Sequence, residues 1–94
     1  MSVTAVVMIK ARTAQINELA QALCEIEGVA EVFSVAGRYD LVAIVRATRN
    51  EDLAEIVSQR MHSVPGIVDS ETLIAFRVYR NADVDAAFSL GIED

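Results

Sequence analysis

VAEVFSVAGRYDLVAIVRA, residues 29–47, reads as two β-rich runs joined by a turn: Val29 to Ala36, then Gly37-Arg38-Tyr39-Asp40, then Leu41 to Ala47. The second run is apolar at both parities. Leu41, Ala43 and Val45 point to one face, and Val42 and Ile44 to the other, because side chains alternate along a strand. A strand apolar on both faces belongs in the middle of a sheet covered on both sides.

The same pattern recurs upstream in Val3 to Lys10, where Val3, Ala5, Val7 and Ile9 oppose Val6 and Met8. An Ala11-Arg12-Thr13 turn follows, with Thr13 as an expected N-cap. Ile16, Leu19, Ala20, Leu23 and Ile26 then recur at helical spacing up to Gly28. Downstream of the hairpin, Thr48-Arg49-Asn50-Glu51 matches a capping box, and Leu53, Ile56, Val57, Met61 and Val64 mark a second amphipathic helix. Pro65-Gly66 stops it. A last strand is expected over Val68 to Val78, with polar ends suited to a sheet edge.

The order is therefore strand, helix, strand, strand, helix, strand: the ferredoxin-like βαββαβ class of α+β folds, with a four-stranded antiparallel sheet. Right-handed crossovers put both helices on one sheet face. The other face is left apolar, and monomers seldom expose contiguous apolar patches beyond a few hundred Å². A second subunit whose sheet packs face to face at about 10 Å removes that patch, so a homodimer of the α/β-barrel kind is expected.

The 94 residues suit one domain, residues 1–94, with a core over 3–78 and a tail over 81–94. In the tail, Asp83 is an expected cap for a short helix carrying Val84, Ala87 and Phe88, with Gly91 as its stop; that helix is expected to pack across an interface. Apolar residues make up 53% of the chain and aromatics 5%, so Val, Ala, Ile and Leu must build the core. No apolar run approaches the roughly 20 residues that span a bilayer, and no secretory leader pattern opens the chain. A cytoplasmic protein is expected, a lone Cys24 being compatible with a reducing compartment.

The net charge is −6, and the eight basic residues, Lys10 and seven arginines, form no run. Binding to DNA or RNA requires clustered cations against phosphates, so direct nucleic-acid contact is not expected, and neither is an anionic membrane surface. His62 is the only histidine and Cys24 the only cysteine, which leaves metal sites and His-based triads without partners. Both are read as structural, Cys24 as packing on the first helix. No cofactor is implied. Small ferredoxin-like enzymes do exist, but that reading needs a polar group buried inside the domain, and only His62 or Tyr79 offers itself.

The turn at Gly37-Arg38-Tyr39-Asp40 admits two readings. It is a hairpin turn in which Gly37 supplies a positive φ and Asp40 bonds nearby amides. It also gathers backbone amides, a guanidinium and a carboxylate, a set suited to the two charged ends of a zwitterion.

The glycine-x-Tyr-Asp-Leu hairpin, Val64-Pro65-Gly66-Ile67 after the second helix and Ser70-Glu71-Thr72 in the last strand together resemble the effector-binding (RAM) domain of the Lrp/AsnC transcriptional regulators. The resemblance runs from about Val3 to Val78 and lacks a helix-turn-helix. It implies a dimer joined through its sheets, further assembly into a ring such as an octamer, and an amino acid or related metabolite bound between dimers. It also implies a full-length Lrp/AsnC regulator as a partner in transcription regulation, and no enzymatic activity. Carried onto this chain, the effector site comprises Gly37, Arg38, Tyr39 and Asp40, with Ser70 and Thr72 from an adjacent strand. Arg38 stands where many members carry an acid, which points toward a carboxylate-rich effector. The alternative without an effector is an oligomeric scaffold.

Overall fold

A computed structural model describes residues 2–81. Four strands, β1 (Val3–Ala11), β2 (Val29–Ser34), β3 (Leu41–Ala47) and β4 (Ile67–Ala75), form one antiparallel sheet in the order β2-β3-β1-β4. The two strands apolar on both faces, β1 and β3, are the central ones. Helix α1 (Ile16–Cys24) follows a 3-10 turn at Thr13–Gln15, and α2 (Asn50–Glu55) continues as a π-helical segment over Ile56–Met61.

The register sorts the sheet into rows. On one face Val32, Ala43, Val7 and Thr72 lie side by side; neighbouring rows run Ser34, Leu41, Ile9, Ser70 and Val29, Val45, Ala5, Ile74. Both helices cover this face. Ala5, Val7, Ile9, Leu41, Ala43 and Val45 close against Leu19 and Leu23 of α1 and Leu53, Ile56 and Met61 of the second helix in a single buried cluster. On the other face the rows are Phe33, Val42, Met8, Glu71 and Glu31, Ile44, Val6, Leu73. No element of the described chain covers them, and Phe33 and Leu73 are each 48% exposed.

Several boundaries differ from the sequence expectations. Thr13 does not cap α1; it opens the 3-10 turn, whose N-cap position is Arg12. The capping box at Thr48 to Glu51 does not form, because the helix begins one residue later: Arg49 occupies the cap in extended conformation, and its guanidinium holds the Asp52 carboxylate at 3.2 Å. Strand β4 ends at Ala75, since its ladder with β1 runs out at the Thr4–Ala75 pair and the next residues have no strand to bond. Cys24 is exposed rather than packed, because Leu23 and Ile26 take the inward positions at the end of α1. The helix expected beyond Asn81, with its packing across an interface, lies outside the described residues.

Candidate functional site

The β2–β3 turn sits over one end of the sheet, where β1 leaves its regular ladder between Lys10 and Ala11. Three hydrogen bonds pin it there. Val35 N–H donates to the Asp40 carbonyl at 3.0 Å, Asp40 N–H donates to the Ile9 carbonyl at 2.9 Å, and Ala11 N–H donates to Asp40 Oδ2 at 2.8 Å. The Asp40 side chain thus supplies the acceptor that β3 no longer offers, and a half-buried amide is not left unpaired. Gly37 lies at φ +141° with nothing within 4 Å of a would-be Cβ. Its requirement for glycine is therefore conformational and not one of space.

Tyr39 reaches across the end of β1. Its hydroxyl donates to Glu71 Oε1 of β4 at 2.7 Å, and the Arg38 guanidinium lies 5.7 Å from the centre of its ring. The hydrogen bond to the Glu71 carboxylate holds the Tyr39 phenol above its ordinary pKa, with desolvation and the Glu71 charge adding to the shift and Arg38 opposing it. Lys10 Nζ donates to the Arg38 carbonyl at 3.4 Å. Two cations, two carboxylates and a phenol are thereby brought together at one exposed end of the sheet.

Of the residues expected at the site, Gly37, Arg38, Tyr39 and Asp40 are together on this turn. Ser70 and Thr72 are elsewhere in the same subunit, because alternation along β4 turns them to the helix-covered face while Glu71 turns to the open one. Ser70 Oγ is within hydrogen-bond distance of His62 Nε2, at 3.2 Å, and Thr72 lines a groove between α2 and β4. Sequence reasoning left out Glu71 and Lys10 as members of the turn's surroundings. The alternation at Ser70-Glu71-Thr72 carried the signal for Glu71; the adjacency of Lys10 appears only once the strand order is known.

Other chemistry finds little support among the described residues. They include no buried polar or charged side chain and no group of three or more His, Cys, Asp and Glu placed to hold a metal. His62 and Tyr79 are exposed. A cleft of about 400 Å³ between Gly28, Arg46, Thr48 and α2 is polar, but its Asp52 and Arg60 are already paired with Arg49 and Glu55. No helix among the described residues is long and apolar enough to cross a membrane.

The chain is thus a ferredoxin-like sheet with one open apolar face and a polar hairpin at one end. The chain belongs to the Lrp/AsnC ligand binding domain family, whose model matches residues 4–84. It is similar to a Thermus thermophilus protein, TTHA0845, of known crystal structure: 44% identity, TM-score 0.78, covering 84% of this chain and 99% of that one. The HTH-type transcriptional regulator FL11 of Pyrococcus abyssi is 28% identical over 79 residues, 84% of this chain and 52% of that protein. The fold is also that of the Neisseria meningitidis transcriptional regulator NMB0573, solved as a complex with L-Met: 17% identity, TM-score 0.74, with 84% of this chain and 53% of that one covered. The chain spans 40–52% of the length of the curated regulators it matches. The Pyrococcus and Neisseria proteins are named as transcriptional regulators and not as enzymes.

Proposed function

We propose that this chain is a sensor module that binds an amino acid or related metabolite between copies of a homo-oligomer. Through assembly with a full-length Lrp/AsnC regulator it modulates transcription without touching DNA itself. The observation that carries this reading is the turn: Arg38, Tyr39 and Asp40 stand with Lys10 and Glu71 at one exposed sheet end, presenting both signs of charge to a zwitterion. Asp40 commits Oδ2 to Ala11, and Oδ1 is left to accept from an ammonium. Arg38 suits the carboxylate. The L-Met in the Neisseria regulator supports an amino acid as the ligand class.

Gly37, Arg38, Tyr39 and Asp40 hold the effector in this reading; Ser70 and Thr72, expected from the adjacent strand, lie on the helix-covered face of β4 and lend it no support. The open face closes first, sheet on sheet, and the hairpins then meet between dimers in a ring. The dispersed basic residues and the net charge of −6 support leaving DNA contact to the partner.

A scaffold without an effector is the second reading. It is favoured by the pairing of Tyr39 with Glu71 and of Asp40 with Ala11, which satisfies part of the turn internally. Titration calorimetry against the common amino acids separates the two. The sensor reading expects saturable binding at one ligand per subunit, weakened about tenfold or more in Asp40→Asn, since a hydrogen bond to a charged partner contributes roughly 1.5–3 kcal/mol. No binding by any of them, or an unchanged affinity in the variant, contradicts it.

A further inference from the structure

Among the described residues the ion pairs are Arg49 with Asp52 and Arg60 with Glu55, and neither involves the hairpin. Lys10 and Arg38 are both exposed and both without a carboxylate at ion-pair distance. Lys10 Nζ has one long contact, 3.4 Å to the Arg38 carbonyl, and the Arg38 guanidinium lies 5.7 Å from the centre of the Tyr39 ring.

The carboxylates around them are already engaged. Asp40 Oδ2 accepts from Ala11 N–H at 2.8 Å, Glu71 Oε1 from the Tyr39 hydroxyl at 2.7 Å and Asp69 Oδ1 from Ser70 N–H at 2.9 Å. Asp69 stands opposite Lys10 in the β1–β4 register without pairing to it. Each acid thus has a donor within the chain, while the ammonium and the guanidinium keep nearly all of their N–H groups free to donate. The unanswered capacity of this sheet end is for anions.

A neutral amino acid answers only half of it. Its carboxylate fills the planar fork of Arg38 and its ammonium goes to Asp40 Oδ1, which leaves Lys10 without an anion. We infer that the effector is an acidic amino acid, of the aspartate or glutamate kind, whose side-chain carboxylate is held by Lys10 while Arg38 holds the α-carboxylate. The inference rests on the sensor reading and deepens it: Lys10 is the residue that separates an acidic effector from its amide. The chain has no other lysine, so no second ammonium stands in for it.

The test is titration calorimetry of the full chain with glutamate and aspartate against glutamine, asparagine, lysine and glutarate. One of the two acids should bind about tenfold or more tightly than its own amide, and likewise more tightly than glutarate, which has both carboxylates but no ammonium. Lys10→Gln should bring the acid-to-amide ratio to within about threefold, and Lys10→Arg, which keeps the charge, should restore most of it. Both variants should keep the parent's circular dichroism, since Lys10 is exposed. An amide, lysine or glutarate bound as tightly as the acids, or an acid preference that survives Lys10→Gln, overturns the inference and leaves the sensor reading standing. Binding of none of the amino acids contradicts both.

Discussion

Where β1 leaves its ladder, the Ala11 N–H bonds to a side chain instead of a strand carbonyl, and that side chain is Asp40. The residue therefore has a structural role that is separable from any ligand role. Asp40→Ala strands a half-buried donor, and chemical denaturation should show a loss of about 1–3 kcal/mol with no ligand present. Asp40→Asn keeps an acceptor oxygen and should fall within about 0.5 kcal/mol of the parent. If both variants unfold like the parent, the bond to Ala11 contributes nothing. Tyr39 offers a second local test. Its folded pKa is raised by Glu71, so the Tyr39–Glu71 bond is fully present below the ordinary phenol value of 10.0 and is lost as pH rises through the higher folded value. Ultraviolet titration in a Tyr79→Phe background should find Tyr39 ionising above that ordinary value, and Glu71→Ala should bring it back down. An unmoved titration would remove the hydrogen bond from the account.

Strands were more legible than helix ends, for a physical reason. Alternation is enforced at every residue of a strand, so β1 and β3 announce their central places through apolar residues at both parities, and the register bears this out. A cap depends on one φ/ψ choice, and a start displaced by a single residue exchanges its partners. Thr48-Arg49-Asn50-Glu51 has the letters of a capping box, yet Arg49 takes the cap and binds Asp52. Thr48→Ala should therefore change stability by less than about 0.5 kcal/mol, where a lost cap would cost about 1 kcal/mol. The π-helical segment escaped the sequence for a related reason: Ile56 and Met61, five residues apart, are both buried, which the wider turn accommodates while Arg60 stays exposed. Met61 is 1% exposed, so Met61→Ala should cost about 2–5 kcal/mol in the same unfolding assay. The site was half legible. Its turn is contiguous in sequence, but Lys10 and Glu71 join it only through the strand order β2-β3-β1-β4.

For the whole molecule, the decisive feature is the uncovered sheet face, with Val6, Met8, Phe33, Val42, Ile44 and Leu73 arranged in adjacent rows. Each residue exposes only a part of itself, but together they make a continuous apolar surface of the kind that a face-to-face partner buries. The hairpin lies at the end of this same sheet, so assembly through the face also fixes where the hairpins of successive subunits stand. Sensing and oligomerisation are in this account one arrangement, and they can be read in one experiment. That experiment is native mass spectrometry of the full chain at micromolar concentration, alone and with each common amino acid in turn. The account predicts dimers or larger even-numbered assemblies that gain ligand mass up to one per subunit with at least one amino acid. A monomer, or a fixed assembly that gains no ligand mass with any of them, would contradict it.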